Sequence, residues 1–233
     1  MEKINVAIDG PAGAGKSSIS KEVAKKLGYI YVDTGAMYRA VGLKFLDKSI
    51  DENDAEFIKS LNETIVDIKY TDGVQHIFLD GEDVSALIRT QKVSQMASDV
   101  SKIGLVRVKL LSLQKNLAKN NDCIMDGRDI GTTILPDAKV KIFLTASAEE
   151  RAKRRCKDLE NLGQIADYET VLNEIIIRDK NDSERKISPL KMADDAILVD
   201  TSDISYEESV NTIYNIIIDK INWFRRLTLW FTE

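Results

Sequence analysis

The sequence predicts an α/β protein of three layers, with a central, mostly parallel five-stranded sheet held between helices. Five short apolar runs, at residues 4–8, 29–32, 123–125, 140–144 and 196–199, alternate with helical patterns, as the buried strands of parallel sheets do. The first of them ends at Asp9-Gly10 in a glycine-rich turn that opens directly into an amphipathic helix. A third observation breaks this rhythm. Residues 65–70 and 74–79 flank Thr71-Asp72-Gly73, a hairpin signal that predicts a small insert with antiparallel strands.

Each element has a local reason. Ile4, Val6 and Ile8 alternate as strand positions do, and the helix over 17–27 gathers Ile19, Val23, Ala24 and Leu27 on one face before Gly28 stops it. A strand over 29–32 leads into a helix over 36–46. After the hairpin, helical segments run over about 85–98 and 105–119. The helix after the 140–144 strand opens with Ser147 and Glu150, and the last helix with Ser205 and Glu208; both pairs have capping-box spacing. That last helix turns Val210, Ile213, Ile217, Ile221 and Phe224 inward, and the aromatic and basic tail 223–231 is expected to pack against the body. The whole chain, 1–233, reads as a single domain. Its core covers about 1–60, 105–150 and 190–233, the insert about 61–104, and a mobile lid about 151–188.

Composition narrows the function classes. The net charge is -5, from 33 Lys and Arg against 38 Asp and Glu, which provides no general attraction for a polyanion, so no nucleic-acid partner is expected. The two cysteines form no CxxC pair and the single histidine, His76, has no ligand companion, which argues against disulfides and zinc and for a reducing, cytoplasmic location. No secretory leader pattern and no apolar run of about 18 residues occurs, so no membrane partner is expected either. A monomer is expected.

The segment Gly10-Pro11-Ala12-Gly13-Ala14-Gly15-Lys16-Ser17 fits G-x-x-x-x-G-K-[ST], set between a strand and a helix as that motif requires. Its glycines let backbone N–H groups turn inward onto phosphate oxygens, and the helix aims its positive end at the same anion. Lys16 reaches the β and γ phosphates, and the Ser17 hydroxyl is placed to ligate Mg²⁺. Ser18 completes the ATP-binding stretch. A DxxG and an NKxD element, which a GTPase needs, are both absent from the sequence.

Arg39 and Arg128 follow the second and third core strands. Loops at the carboxyl ends of parallel strands face the ligand crevice, so both arginines point to the mouth that holds the glycine-rich loop. They predict a second anion site, the phosphate of an acceptor. Arg178, Asp182 and Arg185, spaced i, i+4, i+7, share one helix face in a segment dense in charge. Arg151, Arg154 and Arg155 lie on the Ser147-capped helix, where a lid closes over ATP. Lys16, Arg128, Arg155 and Arg185 are the expected catalytic set, with Mg²⁺ as cofactor to ATP.

With these residues in view the chain resembles the bacterial cytidylate kinases, a group of P-loop nucleoside monophosphate kinases, over nearly its full length. GPAGAGKSS at 10–18, DTGAMYR at 33–39, DGRDIGT at 126–132, RDKNDSER at 178–185, SPL at 188–190 and DTS at 200–202 carry the resemblance. It implies transfer of the γ-phosphoryl of ATP to CMP or dCMP. The implied site has Arg39, Arg128 and Arg185 as the clamp on the acceptor phosphate, Thr34 beside them, and Ser98, Arg107 and Asp129 as readers of cytosine. Arg178 and Asp182 are the implied ribose contacts. The insert is then the acceptor-binding part. A P-loop kinase for another nucleotide or a small metabolite is the alternative.

Overall fold

The computed structural model describes residues 3–161 and 163–230. Along the chain run β1 (Asn5–Asp9), α1 (Lys16–Leu27), β2 (Ile30–Asp33), α2 (Thr34–Lys44), α3 (Ala55–Glu63), β3 (Val66–Thr71), β4 (Val74–Leu79) and β5 (Glu82–Asp83). Then follow α4 (Gln91–Val100), α5 (Gly104–Asn120), β6 (Cys123–Gly127), β7 (Val140–Thr145), α6 (Ala148–Asn161), α7 (Tyr168–Glu184), β8 (Ile197–Asp200) and α8 (Tyr206–Trp230). The main sheet has the order β2-β6-β1-β7-β8, and every pairing in it is parallel. The expected five-stranded core sheet is therefore present, and β3-β4-β5 form a separate antiparallel sheet.

Strand alternation explains the layers. In β1, Val6 and Ile8 face one side and pack with Ile19 and Val23 of α1 and with Val210, Ile213 and Ile217 of α8. Ala7 faces the other side, toward Met37 and Val41 of α2 and Val106 and Leu110 of α5. Ile68, Ile77 and Leu79 of the hairpin join this second cluster, so the insert is seated on the sheet's own hydrophobic layer. A small separate cluster of Ala152, Val171 and Ile175 holds α6 to α7.

Boundaries moved where side chains cap the backbone. The helix expected from residue 36 begins at Thr34, because the Asp33 carboxylate accepts the Ala36 N–H at 2.8 Å. The helix expected over 85–98 begins at Gln91, where the Thr90 hydroxyl accepts the Val93 N–H at 3.3 Å after a short 3₁₀ turn. Both expected caps formed: Ser147 accepts from the Glu150 N–H at 3.1 Å, and Ser205 from the Glu208 N–H at 3.2 Å. α3, which Asp54 caps by accepting the Glu56 N–H at 2.9 Å and which buries Phe57 and Leu61, and β5 are additional to the elements expected from the sequence. No helix among the described residues is long and apolar enough to cross a membrane. In the tail, Phe224 is half-buried and Lys139 sits 5.6 Å over its ring, whereas Trp223 is largely exposed. The expected packing of the side chains of Arg225 and 227–231 lies outside the described residues.

Candidate active site

The glycine-rich loop crosses from β1 to α1 and needs its first glycine for a steric reason. Gly10 has φ +152°, and a Cβ there would lie 1.9 Å from the Leu144 carbonyl oxygen on β7. The loop wraps around Lys16, which is 6% exposed and donates from Nζ to the Pro11 carbonyl at 2.7 Å. Burial pushes the Lys16 pKa down to about 7, and the like charge of Arg128 adds to this against the pull of Asp126 and Asp9.

Asp126, near the end of β6, closes this half of the site. It accepts from the Ser17 hydroxyl at 2.7 Å and from the Tyr31 hydroxyl at 3.2 Å. Burial, and then the charge of Asp33, push its pKa up to about 6, with Lys16 opposing. Asp9 is also raised to about 6 by burial, although its carboxylate accepts the N–H groups of Gly131 at 2.7 Å and Ile130 at 2.8 Å. Those two bonds hold the turn that follows β6 and carries Arg128 and Asp129.

Arginine–carboxylate pairs build the other half. Arg39 donates to Asp33 at 2.8 Å, and Arg128 Nε to Asp182 at 2.9 Å. Asp129, 3% exposed, accepts from Arg107 and, at 3.2 Å, from Arg185. Arg107 also donates to the Ser101 carbonyl at 3.3 Å and lies 5.7 Å over the Tyr38 ring. α7 ends at Glu184, and Arg185 is turned back into the site by the segment after it. The Arg185 guanidinium donates to the Ser188 carbonyl, Ser188 takes φ 48°, and the Leu190 N–H donates to the Asp182 carbonyl at 2.8 Å. The buried Nε of Arg178 has no hydrogen-bond partner among the described residues.

One cleft of about 460 Å³ joins both halves. Lys16, Ser17 and Ser18 line one end, with Ala12, Gly13 and Gly15. Thr34, Arg39, Ser98, Arg107, Arg128, Asp129, Arg178, Asp182 and Arg185 line the rest. Gly10, Pro11 and Ala14 are buried behind the loop. Arg155 is exposed on α6 and is not among the lining residues. Arg154 ties α6 to the sheet end instead, donating to the Thr201 carbonyl at 2.6 Å. A cleft lined by a phosphate-type loop, several guanidiniums and a buried carboxylate–arginine pair can hold two anionic groups.

A family model described as cytidylate kinase matches residues 6–219. The chain belongs to the cytidylate kinase family. A cytidylate kinase of Caldicellulosiruptor saccharolyticus is 55% identical over 93% of this chain and 96% of its own. Those of Lactobacillus johnsonii and Bacillus anthracis are 49% and 47% identical, each over 93% of this chain and over 95% and 97% of their own lengths. Membership makes this chain a phosphotransferase acting on nucleotides.

Several members of this cytidylate kinase site were not singled out from sequence. Asp126 stands in the DGRD stretch, in which only Arg128 and Asp129 have roles assigned from sequence. An acidic residue closing a buried strand was the available signal. Arg151, expected on a lid helix, is 5% exposed and donates to the Ala12 carbonyl of the loop at 3.0 Å while pairing with Asp179 of α7 at 2.7 Å. It joins three segments that are distant in sequence, and sequence spacing carries no trace of that. Asp9 and Tyr38 were likewise invisible as partners.

Proposed function

We propose that this family member transfers the γ-phosphoryl of ATP to the phosphate of CMP or dCMP, giving ADP and CDP or dCDP. The observation that supports this best is that Lys16 shares one cleft with Arg39, Arg128 and Arg185 and with the Asp129–Arg107 pair. In this reading the loop over 10–18 takes the ATP phosphates. The three arginines take the acceptor phosphate, with Thr34 beside them, and Ser98, Arg107 and Asp129 read the base. Cytosine offers an amino donor beside two acceptors, so a carboxylate next to a guanidinium and a hydroxyl matches its edge. Arg178 and Asp182 meet the ribose. The insert over about 61–104 and the lid over about 151–188 close on the core. The separate hydrophobic cluster of α6 and α7 is consistent with a lid that moves as a unit, and closure brings the exposed Arg155 toward the transferring group.

No general base is required, because a phosphate oxygen of the acceptor is already anionic near neutral pH. His76 accordingly sits away from the cleft, paired with Asp83 at 2.9 Å on the hairpin. The chain's own contribution is in-line positioning, charge stabilisation by Lys16, Arg128 and Arg185, and exclusion of water. Mg²⁺ fits the residues present. Ser17 and Asp126 are hard oxygen donors already in contact, and Mg²⁺ usually takes one or two protein oxygens together with phosphates and waters. Bound there with ATP, it supplies neutralisation of charge on the phosphates. The chain works as a cytoplasmic monomer in this reading.

Coupled detection of ADP with a panel of CMP, dCMP, UMP, AMP and small hydroxylated metabolites tests the proposal. CMP and dCMP should stimulate ADP release most, and Lys16→Ala should nearly abolish it. Preference for another acceptor, or turnover in Lys16→Ala close to that of the unaltered chain, overturns it.

A further inference from the structure

β2 is an edge strand of the main sheet. Among the described residues it pairs with β6 alone, and the Ile30 N–H points to that partner, donating to the Asp122 carbonyl at 3.0 Å. In a parallel strand the backbone groups of alternate residues face opposite edges, so those of Tyr31 and Asp33 face the open side. An open edge leaves donors and acceptors unpaired. Here two side chains of the insert occupy it. The Tyr70 hydroxyl donates to the Tyr31 carbonyl at 3.0 Å. The Gln75 amide does more: its oxygen accepts the Asp33 N–H at 2.8 Å and its NH₂ donates to the Asp33 carbonyl at 3.3 Å. Tyr70 and Gln75 are themselves opposite each other in the hairpin ladder.

Asp33 matters to the site through both carboxylate oxygens. One caps α2 at the Ala36 N–H, and the other receives Arg39 at 2.8 Å. We infer that Gln75 is a positioning residue of the acceptor site, by which the insert grips the Asp33 backbone and so sets the direction of the Arg39 guanidinium. Gln75 lies far from the acceptor motifs in sequence and does not line the cleft. It acts on the acceptor only through Asp33 and Arg39. The inference rests on the acceptor-phosphate role proposed above for Arg39.

Steady-state kinetics with CMP and ATP varied separately, on the full chain, test it. Gln75→Ala should raise KM for CMP about fivefold, the size expected when two neutral hydrogen bonds that orient a ligand-binding group are lost, with KM for ATP within about twofold. Gln75→Asn, one methylene too short to span both backbone groups, should give the same split and guards against a folding defect in the alanine variant. Tyr70→Phe removes the neighbouring edge bond without touching Asp33, and should lower thermal stability while leaving KM for CMP unchanged. In an Arg39→Ala background, Gln75→Ala should have no further effect on KM for CMP. An unchanged KM for CMP in both Gln75 variants, or a full effect of Gln75→Ala on top of Arg39→Ala, overturns the inference. If Arg39→Ala itself leaves KM for CMP unchanged, the proposed role of Arg39 fails first, and that result is distinguishable because it needs no change at Gln75.

Discussion

Replacing Asp129 by asparagine removes one charge from the most enclosed ion-pair cluster in the cleft and separates its structural role from its proposed recognition role. The side chains of Asp129 and Arg185 are each 5% exposed, and that of Arg107 is 9% exposed. Asparagine keeps the shape and one acceptor, but it turns an NH₂ donor toward one of two guanidiniums that only donate. Removing one partner of a buried pair outright costs about 3–5 kcal/mol, and the retained acceptor reduces this to about 2–3 kcal/mol. In a chain of 233 residues that is a fall in Tm of about 5–10 °C by differential scanning fluorimetry. Recognition should change sign with the base. A carboxylate suits the amino donor of cytosine, whereas the asparagine NH₂ suits the carbonyl that uracil carries at the same position. Loss of a charged hydrogen bond of about 1.5–3 kcal/mol lowers the CMP-to-UMP ratio of kcat/KM by about 10- to 150-fold. Acceptor kinetics by coupled ADP detection read this directly. A CMP-to-UMP ratio that stays within about twofold of the original would refute the reading role even if Tm falls. An unmoved Tm would refute the buried-pair energetics.

Two further outcomes are expected. Gly42 on α2 packs so closely on α4 that a Cβ would lie 2.9 Å from the Ala97 backbone nitrogen. Gly42→Ala should therefore cost about 1–3 kcal/mol, read as Tm, and raise KM for CMP but not for ATP, since α4 carries Ser98; an unaltered Tm shows that the two helices have slack. Lys16 titrates near 7 when buried without a ligand, below its ordinary 10.5, so the unfolded chain binds more protons between those values and this group's contribution to stability rises with pH across that window. In the proposed mode of binding the ATP phosphates restore its charge. Binding at pH 8 should then take up a proton, measured by calorimetry in buffers of different ionisation enthalpy, and binding at pH 6 or by Lys16→Gln should not; equal uptake in the glutamine variant places the titration elsewhere.

Local pattern was enough for much of this molecule. Alternation in β1, the loop over 10–17, the hairpin turn at Thr71-Asp72-Gly73 and the helix caps at Ser147 and Ser205 each depend on neighbours a few residues apart, and each is where the residues alone place it. Of the two expected capping boxes only that of Ser205 and Glu208 is reciprocal, since the Ser147 N–H donates to Ser202 instead. Of the cleft-lining arginines, Arg39 and Arg128 were legible because strand ends in a parallel sheet face one mouth, Arg178 and Arg185 through helical spacing, and Arg107 only through the family resemblance. α3 was missed although its signals are local, an Asp54 cap and Phe57 and Leu61 one turn apart, whereas β5 is a two-residue exposed pairing too short for any periodicity to show. Helix starts shifted by several residues where a single Thr or Asp side chain outcompeted propensity.

The sequence by itself determined the fold class, the phosphate-binding loop and, through its motifs, the family. Only the tertiary structure decided which groups answer one another: that Asp126 meets Ser17, that Asp9 holds the turn bearing Asp129, that Arg151 bridges the loop to α7, and that Gln75 grips the edge of β2. A motif is written by the backbone conformation of adjacent residues. A buried charge is satisfied by whichever partner the packing brings near, here from up to 139 residues away between Arg151 and Ala12.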